Sequence, residues 1–220
     1  MIVLQEINKV YGKQSVLNNI SITIPNGQFV AITGESGSGK STLLSIMSGI
    51  NQPTSGQVYI EENNLSKLND IQMSHLRNTK IGFVFQNYFL TPEYTVLQNV
   101  KLPLLLRKKE KNIDKQCDII LNKVGLIDKR DMLVKNLSGG EQQRCAIARA
   151  LVTSPEVIFA DEPCGNLDTS NGKIIMSIFK QMKDDGKTVV LVTHNLSDAK
   201  KADRIITLKD GYLIKDEELV

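Results

Sequence analysis

No run of about 18 apolar residues occurs in the chain, so no segment of it is expected to span a membrane. The first residues, Met1-Ile-Val-Leu-Gln-Glu6, lack a basic stretch followed by a long apolar one, and no signal peptide is expected. Cysteine is scarce: Cys117, Cys145 and Cys164 are odd in number and show no C-x-x-C spacing, which argues against a disulfide framework or a zinc site and suits a reducing compartment. Charge of one sign is lacking too. Lys and Arg total 27 against 24 acidic residues, a net +3 over 220 residues, and no nucleic-acid partner is expected from it. The densest basic cluster, Arg107-Lys-Lys-Glu-Lys111, reads as a solvated helix end. There is no internal repeat and no low-complexity segment. Hydrophobic residues make up 41% of the chain, enough for a globular core.

Against this plain background one segment stands out. Gly34-Glu35-Ser36-Gly37-Ser38-Gly39-Lys40-Ser41 fits the phosphate-loop pattern G-x-x-x-x-G-K-[ST], and it follows the apolar β-type run Phe29-Val-Ala-Ile-Thr33. The glycines let successive backbone N–H groups turn toward a phosphate, and a helix opening near Lys40 points its positive end at the same anion. Lys40 would reach the β/γ oxygens and the Ser41 hydroxyl would ligate Mg²⁺. A nucleoside triphosphate, ATP in preference to GTP, held by residues 34–42 from Gly34 through Thr42, is the expected ligand. GTP is disfavoured: Asn122-Lys-Val-Gly125 lacks the aspartate of N-K-x-D, and residues 161–164 lack the glycine of D-x-x-G.

Short β-type runs at residues 2–7, 21–24 and 29–33 deliver this loop, and further runs follow at 56–60 and 81–85. From Gln86 the pattern changes to helical spacing between about Thr95 and Val124, where Pro103 is expected to kink or interrupt the first helix and Gly125 to cap the second. Strand-type runs return at 157–160, 188–193 and 205–208, alternating with helix-like segments as in parallel α/β sheets. The expected fold is therefore α/β: a phosphate-loop NTPase core with a mixed or parallel sheet flanked by helices, an antiparallel β subdomain and an inserted helical subdomain. The boundaries read as 1–86 and 153–220 for the core with its β subdomain, and 87–152 for the helical part, all within one domain.

Two further clusters carry chemistry. Val157-Ile-Phe-Ala160 ends in Asp161-Glu162, placing two carboxylates at the carboxyl end of a buried parallel strand, where ligands of α/β sheets bind. Asp161 would hold Mg²⁺ and Glu162 would polarise the attacking water. Ser138-Gly139-Gly140-Glu141, inside Leu137-Ser-Gly-Gly-Glu-Gln-Gln-Arg144, reads either as a capping box for the following helix or as a second anion site. Two glycines in a first helical turn, each costing about 1 kcal/mol relative to Ala, favour the second reading. His194, after the run 188–193, would donate to the γ-phosphate, and His75 has no such setting and reads as surface.

The phosphate loop, Gln86, residues 137–144, Asp161-Glu162, Gly165-Asn-Leu-Asp168 and His194, in this order, resemble the nucleotide-binding subunits of ABC transporters over nearly the whole chain. The resemblance implies an ATPase using ATP and Mg²⁺. It implies a second cassette, a homodimer closing head to tail, so that Ser138, Gly139, Gly140 and Glu141 of one subunit meet the γ-phosphate held by the other. By the same resemblance Tyr11 stacks on adenine, Gln86 meets Mg²⁺ and relays to the membrane partner, and Asp168 lies in the loop crossing the dimer interface. Glu141 stands where the commonest family signature has glutamine and Cys164 where the family usually has threonine. The latter reads as a small filler residue and not as a redox switch. An integral membrane permease on another chain is implied, with the cassette cytoplasmic and peripheral at the inner face of the membrane. Within the family the chain resembles the compact subunits of lipoprotein-release, macrolide-export and antimicrobial-peptide-resistance systems. The other class of function open to it is regulation, in which the same cycle acts through a membrane protein on cell-wall remodelling or cell division.

Overall fold

The computed structural model describes residues 1–107 and 111–219. In chain order the strands are β1 (Ile2–Tyr11), β2 (Gln14–Ile24), β3 (Phe29–Thr33), β4 (Ser55–Ile60), β5 (Asn63–Asn64), β6 (Ile81–Val84), β7 (Val157–Asp161), β8 (Thr188–Val192), β9 (Arg204–Lys209) and β10 (Tyr212–Glu218). The helices are α1 (Lys40–Met47), α2 (Asp70–Lys80), α3 (Val96–Leu105), α4 (Ile113–Lys123), α5 (Gly139–Leu151), α6 (Thr169–Asp184) and the single turn α7 (Leu196–Ala199).

Strands β3, β7 and β8 are apolar at almost every position, so each must be covered on both faces. They occupy the middle of a six-stranded sheet of order β10-β9-β3-β8-β7-β6, parallel from β9 to β6 with β10 antiparallel at the edge. Their side chains alternate between two cores. Phe29, Ala31, Ile158, Ala160, Val189 and Leu191 face a core shared with α3 to α6. Val30, Ile32, Phe159, Val190 and Val192 face the other, shared with α1, α2 and the antiparallel sheet β2-β1-β4-β5. Burial of one ring such as Phe159 contributes about 2–3 kcal/mol. The α/β fold with an antiparallel sheet and packed helices is the one expected from the sequence.

Some local expectations change. β2 starts at Gln14, seven residues before the apolar run at 21–24, because Asn18 and Asn19 interrupt the alternation; Asn19 has φ 50° where the β1–β2 register shifts. Helix α2 gave no periodic signal, since only Met73 and Leu76 are buried on it, yet Asn69 and Gln72 form a complete capping box at its start. Pro103 does not break α3, which runs two residues further to Leu105: so near the end of a helix the missing N–H costs only one bond. Gly125, at φ 68°, does cap α4, with the Gly125 N–H on the Asn122 carbonyl at 3.1 Å and the Leu126 N–H on the Leu121 carbonyl at 2.8 Å. Arg107 is not simply solvated. Its guanidinium donates to Asn78 Oδ1 at 2.9 Å, the Asn78 carbonyl at 2.7 Å and the Thr153 carbonyl at 3.1 Å, pinning the end of α3. Lys108, Lys109 and Glu110 of the same cluster lie outside the described residues.

Candidate functional site

The order β3-β8-β7-β6 brings the carboxyl ends of four strands side by side, although the residues that follow them are far apart in sequence. Gly34 leaves β3 at φ 147°, where a Cβ would run into the Leu208 carbonyl and Ser38 Oγ, so only glycine fits. The chain then curls through residues 35–39 into α1, and Lys40 lies folded back with its ammonium on the carbonyls of Gly34 at 2.9 Å and Glu35 at 2.7 Å. Ser36, Gly37, Gly39, Lys40, Ser41 and Thr42 form one wall of a cavity of about 670 Å³. Gln86 beyond β6, Glu162 beyond β7 and His194 beyond β8 form the opposite wall, and Val16 from the β1–β2 hairpin closes one side. Ser38 is buried within the loop, its hydroxyl without a partner among the described residues.

Asp161 ends β7 and accepts the Ser41 hydroxyl at 2.9 Å. Burial pushes its carboxyl above the ordinary aspartate range, the Ser41 hydroxyl opposes this, Glu162 adds to it and Lys40 again opposes it. A hydroxyl and a carboxylate in contact beside a phosphate loop are the oxygen donors Mg²⁺ takes when it is held by one or two side chains and substrate phosphates. The described residues contain no group of three or more His, Cys, Asp or Glu side chains able to hold a metal alone. The set therefore fits a cation that arrives with a nucleotide.

Glu162 turns out of the strand at φ 45°, its N–H on the Val192 carbonyl at 3.0 Å. Its Oε1 lies 2.9 Å from His194 Nδ1, pairing a largely buried carboxylate with a mostly exposed ring. A carboxylate only accepts, so Nδ1 carries the proton.

The remaining expected residues lie elsewhere. Tyr11 is exposed at the hairpin tip and does not line the cavity; its hydroxyl accepts from Asn51 Nδ2 at 2.5 Å, and the Lys9 ammonium stands 4.8 Å from the ring centroid. Ser138 caps α5 in a complete capping box, with its N–H on Glu141 Oε2 at 2.9 Å. Glu141 also pairs with Lys129, which together with the Ser138 N–H lowers its pKa to about 2. Asp168 caps α6, accepting the Ser170 hydroxyl and both nitrogens of Asn171, and these bonds hold its carboxyl well below the usual range. Cys164 is half-buried, its thiol pushed up to about 12 mainly by burial, as suits a filler. His75 is exposed on α2.

Two contributors to the site were not anticipated. Tyr88 and Phe89, just after Gln86, both adopt left-handed backbone at φ 46° and 48°. Arg149 reaches from α5 to donate to both their carbonyls, and burial draws its pKa down. Asn99, fully buried on α3, holds the same loop by accepting the Thr91 N–H at 2.8 Å and donating to the Thr91 carbonyl at 3.0 Å. The signal for Arg149 was a lone cation in the otherwise apolar Cys145–Val152 run; Asn99 had none.

Comparison with known proteins agrees with this geometry. A family profile described as ABC transporter matches residues 17–165. The uncharacterized ABC transporter ATP-binding protein YvrO of Bacillus subtilis is 44% identical over 99% of this chain and 97% of its own length. The lipoprotein-releasing system ATP-binding protein LolD of Aquifex aeolicus is 44% identical over 96% of this chain and 94% of its own. The macrolide export ATP-binding/permease protein MacB of Chlorobaculum tepidum is 42% identical over 99% of this chain, which spans 34% of MacB. Among solved structures, the dimeric post-hydrolysis state of the ATP-binding cassette MJ0796 bound to ADP and Pi superimposes with TM-score 0.93, at 40% identity, over 100% of this chain and 99% of that one.

Proposed function

We propose a function from one premise: the chain belongs to the ABC transporter family, as an ATP-binding cassette that hydrolyses ATP. In this reading it powers a separate membrane permease, exporting peptides, antimicrobials or lipophilic cargo or conferring resistance to them, and sits at the inner face of the membrane through that permease. The permease is read here as another chain, and no helix among the described residues is long and apolar enough to cross a membrane. The names of LolD and MacB support the lean to export.

The observation that carries the mechanism is a division of labour. Lys40, Ser41, Gln86, Glu162 and His194 line one cavity, while the capped turn Ser138–Glu141 lies outside it. One chain thus presents two half-sites, which a head-to-tail homodimer would join, as the dimeric MJ0796 cassette supports. Residues 34–42 would bind the phosphates, with Lys40 leaving its two loop carbonyls for the β/γ oxygens. Ser41, Asp161 and Gln86 would hold Mg²⁺, which when bound neutralises charge on the phosphates. Glu162, with its carboxylate oriented by His194, would take the proton of the attacking water. Because Nδ1 already donates to Glu162, His194 can donate to the γ-phosphate through Nε2 only as the imidazolium. Ser138, Gly139, Gly140 and Glu141 would reach the γ-phosphate from the opposite subunit, next to the Asp168 loop, and Tyr11 would stack on adenine at the cavity's outer edge.

A second concavity, of about 500 Å³, opens between Phe83, Phe85 and Phe89 and the end of α3 at Pro103 and Leu106. Phe89 and Leu106 are 63% and 79% exposed there, large apolar groups free to accept the permease's cytoplasmic elements next to Gln86.

Replacing Glu162 with Gln is expected to cut turnover by about 10² to 10⁴-fold while ATP still binds. Turnover at the wild-type rate would remove Glu162 from its role. The same variant, purified with ATP and Mg²⁺ from mildly solubilised membranes, should bring a multi-span protein with it, whose outer domains would separate export from cell-wall regulation. Recovery of soluble cassette alone under several detergents would refute the permease assignment.

A further inference from the structure

Gly140 has a neighbour inside its own subunit that dictates the missing side chain. The amide of Asn171, on the first turn of α6, lies flat on it: a Cβ added to Gly140 would overlap Asn171 Oδ1 and Cγ and come within 3.0 Å of Nδ2. Gly139, by contrast, would have only ordinary contacts, with Tyr88 Oη at 3.4 Å and a Leu167 methyl at 3.8 Å. The Asn171 amide is oriented by charge at both ends. Its Nδ2 donates to Asp168 Oδ2 at 2.7 Å and its backbone N–H to Oδ1 at 2.9 Å, while its Oδ1 accepts from Arg144 Nη1 at 3.4 Å. Arg144 is on α5, one turn beyond Gly140. A polar bridge therefore runs from the Asp168 cap of α6 through a half-buried amide to the first turns of α5, and Gly140 is the notch that lets it pass.

We propose that Asn171 is a positioning residue that locks the Ser138–Glu141 turn and the Asp168 loop of one subunit into a single rigid unit, so that both present to a second cassette together. The inference rests on the two-half-site reading above. It also gives a reason for the missing Gly140 side chain: its absence serves the Asn171 bridge from within, whereas Gly139 is open on the outer side. Asn171→Asp tests the polarity without changing size, since a carboxylate keeps Arg144 but repels Asp168. Gly140→Ala tests the notch, and Asn171→Ala empties the space the new methyl needs.

The experiment uses the Glu162→Gln chain as parent, with ATP-dependent dimerisation followed by sedimentation and ATP binding to the monomer measured alongside. Asn171→Asp should weaken dimerisation about tenfold, with monomer ATP affinity unchanged. Gly140→Ala should weaken it by about tenfold or more, and adding Asn171→Ala should bring it back to within about threefold of Asn171→Ala alone, the non-additivity expected of groups in direct contact. Thermal unfolding of the parent, Gly140→Ala, Asn171→Ala and the double variant should show the matching rescue, which keeps the size exchange readable if Gly140→Ala is poorly folded. A double variant as defective as Gly140→Ala, or Asn171→Asp dimerising like the parent, would overturn the proposal. Failure of the parent itself to dimerise would instead refute the two-half-site reading on which it stands.

Discussion

Arg149→Ala is the substitution whose effect follows most directly from the geometry. The guanidinium holds the carbonyls of Tyr88 and Phe89, and a hydrogen bond to a charged group contributes about 1.5–3 kcal/mol, so two of them contribute about 3–6 kcal/mol. They act against the left-handed backbone of two consecutive non-glycine residues, which costs about 1–2 kcal/mol each. With the arginine gone, a conformation carrying about 2–4 kcal/mol of strain has lost its main restraint, and its population relative to a relaxed loop falls to about one in 30 to one in 1000. Asn99 on Thr91, and the edge-on contact of Phe89 with Phe85 at 5.0 Å, hold part of the loop in place. Turnover is therefore expected to fall by about tenfold to a hundredfold, because Gln86 loses its place in the cavity wall. ATP affinity should stay near wild type, since the phosphate loop is untouched. The assay is steady-state phosphate release paired with hydrogen exchange of residues 86–90, whose amides should lose protection. Adding Tyr88→Gly to Arg149→Ala should recover about fivefold in turnover by removing about 1 kcal/mol of strain. Turnover within about twofold of wild type, with 86–90 still protected, would show that the arginine is not what holds the loop.

Two more outcomes are expected. Glu141 has its pKa depressed to about 2, first by Lys129 and then by the Ser138 N–H, so its ion pair stabilises the fold above pH 4.5 and the contribution is lost as pH falls toward 2. Glu141→Gln should lower stability by about 1 kcal/mol at pH 7, with the difference in melting temperature from wild type shrinking below pH 4.5; a gap that does not change with pH would contradict the pairing. Burial pushes the thiols of Cys117, Cys145 and Cys164 up to about 11, 12 and 12, so the native protein should resist alkylation at pH 8 under conditions that fully label the urea-unfolded chain, and rapid modification of Cys164 would revive a redox role for it.

The parts of the molecule that were legible in the sequence are those whose chemistry constrains consecutive residues. The phosphate loop needs its glycines, lysine and serine in a row, and the central strands need uninterrupted apolar runs because both faces are covered. Asp161, Glu162 and His194 could be placed because each directly follows such a run. Helix α2 was not legible, since two buried residues set no period. Arg149, Asn99 and Asn171 act across 60, 8 and 27 residues, on Phe89, Thr91 and Arg144, and no local pattern marks a bond of that kind. Tyr11 stands apart from these: it lies at the hairpin tip beyond the cavity lining, hydrogen-bonded to Asn51, and its place was read from the family resemblance and not from a run of its own.

Strand β3, which launches the phosphate loop, lies between β8 and β9 in the sheet. Val30 lies beside Val190 and Arg204, so the strand has no edge to pair with until residues about 160 to 175 positions further along have been made. During synthesis the β1–β2–β4 sheet can close on local contacts, whereas the nucleotide pocket must await the last strands. A product truncated before residue 188 would thus carry every residue of the phosphate loop and still have no scaffold to hold it. On the ribosome, competence to bind nucleotide waits for β8 and β9 and follows from their pairing with β3.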